Sequence, residues 1–98
     1  MIDVWVRAKT KDFTDWKPVF DSNMAARMAA GEISHRIFYN ADNTTDVFIF
    51  FEWESRAKAD GYFHSEIAKK SMAESGLLGS PEIVFVEEMR QLRRTAAD

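Results

Sequence analysis

The stretch "VFIFFEWES", Val47 to Ser55, constrains this chain more than any other. From Val47 to Trp53 only Glu52 is polar, and the run ends in a tryptophan. Successive side chains of a strand point to opposite faces. As a strand, the segment therefore puts Val47, Ile49, Phe51 and Trp53 on one face, and Phe48, Phe50 and Glu52 on the other. Both faces are apolar, so both need cover. The chain has 98 residues, enough for one domain near the lower end of what buries a self-sufficient core.

The flanking segments supply the rest of the architecture. "IDVWVRAK", Ile2 to Lys9, alternates Ile2, Val4, Val6 and Ala8 against Asp3, Trp5, Arg7 and Lys9, the pattern of a half-buried strand. Phe13, Trp16, Phe20, Met24 and Arg27 or Met28 then recur at helical spacing. Asp12 or Asp15 can cap this helix and Gly31 can close it. Because proline belongs in a first turn, Pro18 places the regular helix from about Asp15. "EISHRIFYN" reads as a second strand with Ile33, His35, Ile37 and Tyr39 on one face, and "ADNTTD" as a turn into the third strand. Ser55 caps a following helical segment that Ser65 divides in two, "LLGSP" turns, and "EIVFVEEMRQL" is the fourth strand. Residues 1–92 form the expected domain, and "RRTAAD", 93–98, a polar tail that frays.

The order β-α-β-β-α-β also reads as a rough internal repeat, in which a glycine ends each helical segment and an isoleucine opens the next strand. With right-handed crossovers it makes an α+β, ferredoxin-like fold: four antiparallel strands with both helical segments on one face. The helices leave one sheet face open. That face is expected to carry Phe48, Phe50 and Phe38, with either Trp5 or Val4 and Val6. A contiguous aromatic patch is costly to leave in water at roughly 25 cal/mol per Å². A second copy of the sheet is the economical cover, so a homodimer packed sheet to sheet is expected. Arg36 shares the face with Phe38 and is placed to pair with Glu52 across that interface rather than to act in catalysis, and Arg7 and Trp5, which share a face of the first strand, raise the same two possibilities.

The same order, the apolar third strand ending in "FEWES", and the following "GYFHSEIAKKSMAESGLLGSPEI" resemble the dimeric α/β-barrel superfamily, nearest to its antibiotic-biosynthesis-monooxygenase-like branch. The motif is a strand ending in Trp-x-Ser, a helix with a small residue, and a serine about a dozen positions on. These correspond to Trp53, Ser55, Ala57 or Ala59, and Ser65. The resemblance covers nearly the whole chain and specifies fold more than chemistry, since this scaffold hosts many activities. It implies a small aromatic or polycyclic compound held between helices and sheet. Some members oxygenate such a compound with neither metal nor flavin, the substrate's own enolate or phenolate reducing O2 in a dry pocket. The alternative is a homodimeric module that binds a small molecule without turnover. The haem-degrading branch uses an Asn on the first strand and a Trp and a His on the second helix. By position these helix residues fall on Tyr62 and Met72, and "IDVWVRAK" has no Asn, which argues against haem degradation. Other branches often carry a His where Tyr62 stands.

His35, mid-strand between isoleucines, is the candidate catalytic base, since imidazole titrates near neutrality. Phe51, Trp53, Tyr62 and His64 are the candidate substrate-binding residues, His64 lying at the helix junction before Ser65. Each has a plainer reading: a buried imidazole bonded to backbone for His35, core aromatics for Trp53 and Tyr62, an exposed junction residue for His64. Met24, Met28 and Met72 are gap-fillers in core or pocket wall.

No cofactor or metal is expected. Two histidines far apart without His-x-His or His-Glu-x-x-His, no cysteine, four scattered glycines and no Gly-x-Ser-x-Gly give no metal, thiol, phosphate-loop or nucleophile-elbow motif. A net charge of −3 argues against nucleic acid and anionic membrane. An RNA-recognition domain has the same element order, but it needs a basic residue and Gly leading into the third strand, where "NTTD" stands here. With neither a signal segment nor a membrane-length apolar run, a cytoplasmic location is expected.

Overall fold

A computed structural model of the chain describes residues 1–92; the tail 93–98 lies outside the described residues. The elements run β1 (Ile2–Lys9), α1 (Phe13–Ser22), α2 (Met24–Ala30), β2 (Glu32–Asn40), β3 (Asn43–Trp53), α3 (Arg56–Phe63), α4 (Glu66–Glu74) and β4 (Glu82–Val86). The sheet order is β2-β3-β1-β4, with every neighbouring pair antiparallel. This is the expected ferredoxin-like α+β fold, with each helical segment broken into two.

Both breaks have local causes. Asp12 caps α1 by accepting from the Thr14 N–H at 2.9 Å, so the helix starts earlier than Pro18 alone suggested. Pro18 sits in the second turn, where its missing N–H leaves the Thr14 carbonyl without an intrahelical donor. Asn23 then separates α1 from α2 while its side chain donates to the Val19 carbonyl and to Ser71 of α4, at 2.9 and 3.0 Å. In the second segment Ser55 caps α3 and Ser65 caps α4, as expected; the Ser65 hydroxyl accepts from Ala68 N–H at 3.2 Å and donates to the Tyr62 carbonyl at 2.6 Å. Gly31 ends α2 at φ 129°, a backbone conformation that selects glycine.

Register explains the two faces of β3. Val4, Val6, Val47, Ile49, Phe51 and Trp53 face the helices and form the core with Trp16, Phe20, Ala59, Tyr62 and Ala68. Trp53 and Val4 are fully enclosed. The opposite face carries Trp5, Phe48, Phe50, Phe38 and Val84, so Trp5 rather than Val4 and Val6 completes it. Trp5 remains 51% exposed and Phe38 39%.

Two strand boundaries and one strand face differ from the alternation pattern. The hairpin turn is only Ala41–Asp42, because Asn43 to Asp46 continue the ladder of β3 and Asn40 pairs with Asn43. The fourth strand stops at Val86, short of "EEMRQL", where its ladder with β1 ends at the Asp3–Val86 pair. Ile33 does not share a face with His35: a bulge between Glu32 and Ser34 pairs Glu32 with Trp53 and leaves Ile33 exposed.

Candidate functional site

A narrow cleft of about 70 Å³ lies between the helices and the core face of the sheet. Its floor is Val6 and Ala8 of β1, Ile49 and Phe51 of β3, and Ile83 of β4; its walls are Trp16 and Phe20 of α1, Tyr62 and Phe63 of α3, and Met72 of α4. The aromatic walls are mutually braced. Trp16 stacks on Phe20 at 4.9 Å, and Phe51 meets Phe20 at 6.0 Å and Phe63 at 5.7 Å between ring centroids. Such a lining presents flat apolar surface with few polar groups, as small-molecule sites do, in a space well below the few hundred Å³ they usually enclose, so a ring compound enters only as the walls part.

Polar groups reach the cleft from Arg27, Tyr62, Ser71 and Ser75. Burial pushes the Tyr62 phenol up from its ordinary range, with Arg27 opposing and Glu32 reinforcing the shift, so its hydroxyl keeps its proton at neutral pH and remains a hydrogen-bond donor.

Arg27 belongs to a buried charged cluster. Its Nε donates to Glu32 Oε1 at 2.8 Å, and its Nη1 donates to the Phe20 carbonyl at 2.7 Å. The guanidinium lies 3.7 Å over the Phe20 ring. Both side chains are almost wholly enclosed, at 4% and 3% exposure. The other carboxylate oxygen, Glu32 Oε2, is 3.1 Å from His35 Nδ1. A carboxylate only accepts, so Nδ1 carries the hydrogen and Nε2 is left as the basic position of the ring. The bulge at Ile33 builds this arrangement. Residues 32 and 35 of a regular strand point to opposite faces, and one extra residue turns both toward the helices.

The five sequence candidates divide by place. Phe51 and Tyr62 line the cleft. Trp53 is enclosed in the core behind it, 5.5 Å from the Tyr62 ring, with its indole N–H unpartnered. His35 stands outside the lining, edge-on to Phe20 at 5.1 Å and linked to Arg27 only through Glu32. His64 caps α3 on the outer surface, its ring 77% exposed and its Nδ1 2.9 Å from the Asp60 carbonyl. Alternation did not single out Arg27 and Glu32. The available signal was an arginine in an otherwise apolar helical stripe, followed five residues on by an acid, since a charge at a core position requires a buried partner. Among the described residues no three His, Asp or Glu side chains converge as a metal site, and no helix is long and apolar enough to cross a membrane.

Comparison with known proteins bears on the fold. No family model matches the sequence, nor does any curated protein. Solved structures do match. SnoaB, a cofactor-independent oxygenase of Streptomyces nogalater, superposes with a TM-score of 0.74 at 13% identity, over 95% of this chain and 97% of its own. The chain shares its fold. A Bordetella bronchiseptica protein provisionally described as an antibiotic biosynthesis monooxygenase gives a TM-score of 0.77 at 9% identity, over 91% and 97% of the two chains. An antibiotic biosynthesis monooxygenase covering 92% of this chain and 100% of its own gives 0.71 at 13% identity. Identities this low carry the fold alone, and leave chemistry to the residues of the cleft.

Proposed function

We propose that the protein is a small monooxygenase-like enzyme that takes a small aromatic compound into the cleft between helices and sheet and oxygenates it without metal or flavin. The observation that carries the reading is the cleft itself: an aromatic-walled space in a fold shared with a cofactor-independent oxygenase. In this reaction a base removes a proton from an activated C–H or O–H of the substrate. The resulting enolate or phenolate passes an electron to O2, and the radical pair collapses to a C–O bond. The peroxide anion takes the proton back from the base, and the hydroperoxide, losing the remaining hydrogen of the same carbon with its outer oxygen as water, leaves a ketone, so one oxygen atom enters the product and the other leaves as water. His35, which stands outside the cleft lining at the edge of Phe20, is the proposed base through Nε2 for the part of a substrate that reaches past that ring. Phe51 and Tyr62 would hold the ring of the substrate and Trp53 would back the wall from the core, while His64, on the outer surface, has no part in the cleft.

The open sheet face supports a homodimer. Trp5 and Phe50 lie 4.8 Å apart and Phe38 and Phe50 5.1 Å apart, forming one aromatic patch. Arg7 and Arg36 stack over Phe48 and Phe38 at its margin. A two-fold pairing sets this patch against itself.

Native mass spectrometry of the purified protein, followed by oxygen uptake with an anthrone or quinol, tests both readings. A dimer that consumes oxygen, and whose His35→Ala variant stays dimeric but does not, is the expected result. A dimer that binds the aromatic without consuming oxygen would replace the enzyme with a binding module. A monomer would overturn the sheet-to-sheet pairing.

A further inference from the structure

The closed cleft is smaller than a site for a ring compound, so one of its walls has to move. The walls are not held equally. The floor is laddered sheet, α1 commits Trp16 and Phe20 to the core, and α3 commits Ala59 and Tyr62. Of the nine residues of α4 only Ala68 is buried. The helix turns Ala68, Ser71 and Met72 to the cleft, followed by Ser75 at its end, and leaves Ile67 on its outer side 56% exposed. A wall that encloses so little apolar area is the cheapest to displace. It is also built to move as one piece. Ser65 caps its start, and its charged side chains pair along its own surface, Lys69 with Glu66 and Lys70 with Glu74. The chain is pinned at both ends of it. Before the helix, the Ser65 N–H donates to the Tyr62 carbonyl at 2.9 Å; after it, the Gly76 carbonyl accepts from the Lys11 N–H at 3.2 Å and the Leu78 N–H donates to the Lys9 carbonyl at 2.8 Å. Among the described residues a single side-chain hydrogen bond ties the body of α4 to another part of the fold: Asn23 Nδ2, at the junction of α1 and α2, donates to Ser71 Oγ at 3.0 Å.

We propose that α4 is the gate of the cleft: it swings outward about the line through Ser65 and Gly76 to admit a flat ring, and the Asn23–Ser71 hydrogen bond latches it shut. The proposal rests on the cleft being a site for a ring compound and adds its moving part, which is the same whether or not the bound compound is then oxygenated. Opening disturbs little else. Asn23 Nδ2 keeps its bond to the Val19 carbonyl at 2.9 Å, and the Ser71 hydroxyl exchanges its protein partner for water. Gly76, at φ 76°, supplies the turn between the helix and its second pin. Met72 is unbranched and repacks over a ring as the helix returns. Closure then seals the compound from water behind Met72 and the aromatic walls.

The test follows the association of 4-nitroanisole, a neutral ring whose nitro group quenches tryptophan emission, with the full-length protein by stopped flow; Trp16 in the cleft wall is the reporter. The chain has no cysteine, so Asn23→Cys/Ser71→Cys supplies the only thiols, which a short bis-thiosulfonate bridges and a reducing agent releases. The bridge should slow association by at least about a hundredfold, and reduction should restore it, because the rate scales with the open fraction. Ser71→Ala removes the latch and suits a helix, so it should associate roughly two- to tenfold faster than wild type, the range for one neutral hydrogen bond. Ser71→Cys capped with a methyl thiosulfonate carries the bulk without the tie and should bind at close to the reduced rate; slowing equal to the bridge's would refute gating by α4. If bridged and reduced forms associate alike, or Ser71→Ala is no faster than wild type, the gate is overturned and the cleft stands, with another wall parting. If wild type does not bind 4-nitroanisole at all, the cleft reading fails and the gate with it. Should the cysteine pair not fold, the rate of Ser71→Ala decides alone.

Discussion

Removing the Glu32 carboxylate should destabilise this protein far more than removing the whole Arg27–Glu32 pair. Glu32→Ala leaves the Arg27 guanidinium enclosed at 4% exposure with only the Phe20 carbonyl and the Phe20 ring as partners. Breaking a buried pair from one side costs about 3–5 kcal/mol, mostly the penalty of the orphaned charge. Arg27→Met leaves Glu32 equally enclosed, with His35 Nδ1 as its remaining partner at 3.1 Å, and belongs in the same range. The double variant Arg27→Met/Glu32→Leu removes both charges and keeps the volume filled. Its expected cost is within about 1 kcal/mol of wild type, because apolar replacements of buried pairs are often neutral or better. The singles would add to about 6–10 kcal/mol, so the cycle carries a coupling of at least about 5 kcal/mol. Against a total stability of about 5–15 kcal/mol either single change brings the domain close to unfolding. Urea denaturation at one fixed protein concentration measures this, with midpoint losses on the order of 2–3 M for the singles at unchanged slope. If the singles cost less than about 1 kcal/mol, or the double variant loses as much as their sum, the cluster is not the enclosed, mutually dependent pair described above.

Three further outcomes are expected. Phe50→Glu places a charge at the centre of the Trp5–Phe50–Phe38 patch and should convert a dimer to a monomer in size-exclusion chromatography with light scattering; an unchanged dimer mass would place the interface elsewhere. Ser65→Ala removes the acceptor of the Ala68 N–H and the donor to the Tyr62 carbonyl, and should lower stability by about 1 kcal/mol in urea melts, whereas no change would mean that water caps α4 as well as the hydroxyl does. The hydrogen bond from Arg7 holds the Asp46 carboxyl below its ordinary 3.8, so its contribution is fully present above that value and is lost as pH falls through the lower, folded-state value. Asp46→Asn should therefore show a flatter loss of stability below about pH 4 than wild type, and parallel acid limbs would refute the coupling.

Much of this architecture was legible in the residues. Period-two and helical spacing located every strand and both helical segments, and Ser55 and Ser65 marked helix starts because a hydroxyl at that point satisfies a free backbone N–H. The double-sided apolar run of β3 announced a sheet with one uncovered face. Where reading failed, it failed on features with no local signature. Pro18 argued for a later helix start than Asp12 allows, since the capping bond outweighs one missing N–H. Alternation put Ile33 beside His35 because a bulge depends on how two strands register, and that is settled between Glu32 and Trp53, twenty-one positions apart. Phe51 and Tyr62 were recognisable as aromatic candidates, but whether each faced the cleft or lay behind it, like Trp53, depended on helix placement over the sheet.

By itself, then, the sequence determined which segments are strands and helices, which aromatic side chains share a face, and that one sheet face is left without helical cover. These follow from the two short periods of the backbone, which act over a few residues. Only the tertiary structure decided that an arginine of α2, an acid of β2 and a histidine three residues further on form one buried cluster. Charges meet inside a protein only where the packing of distant elements encloses them, and the bulge that turned Glu32 inward is a property of two strands together.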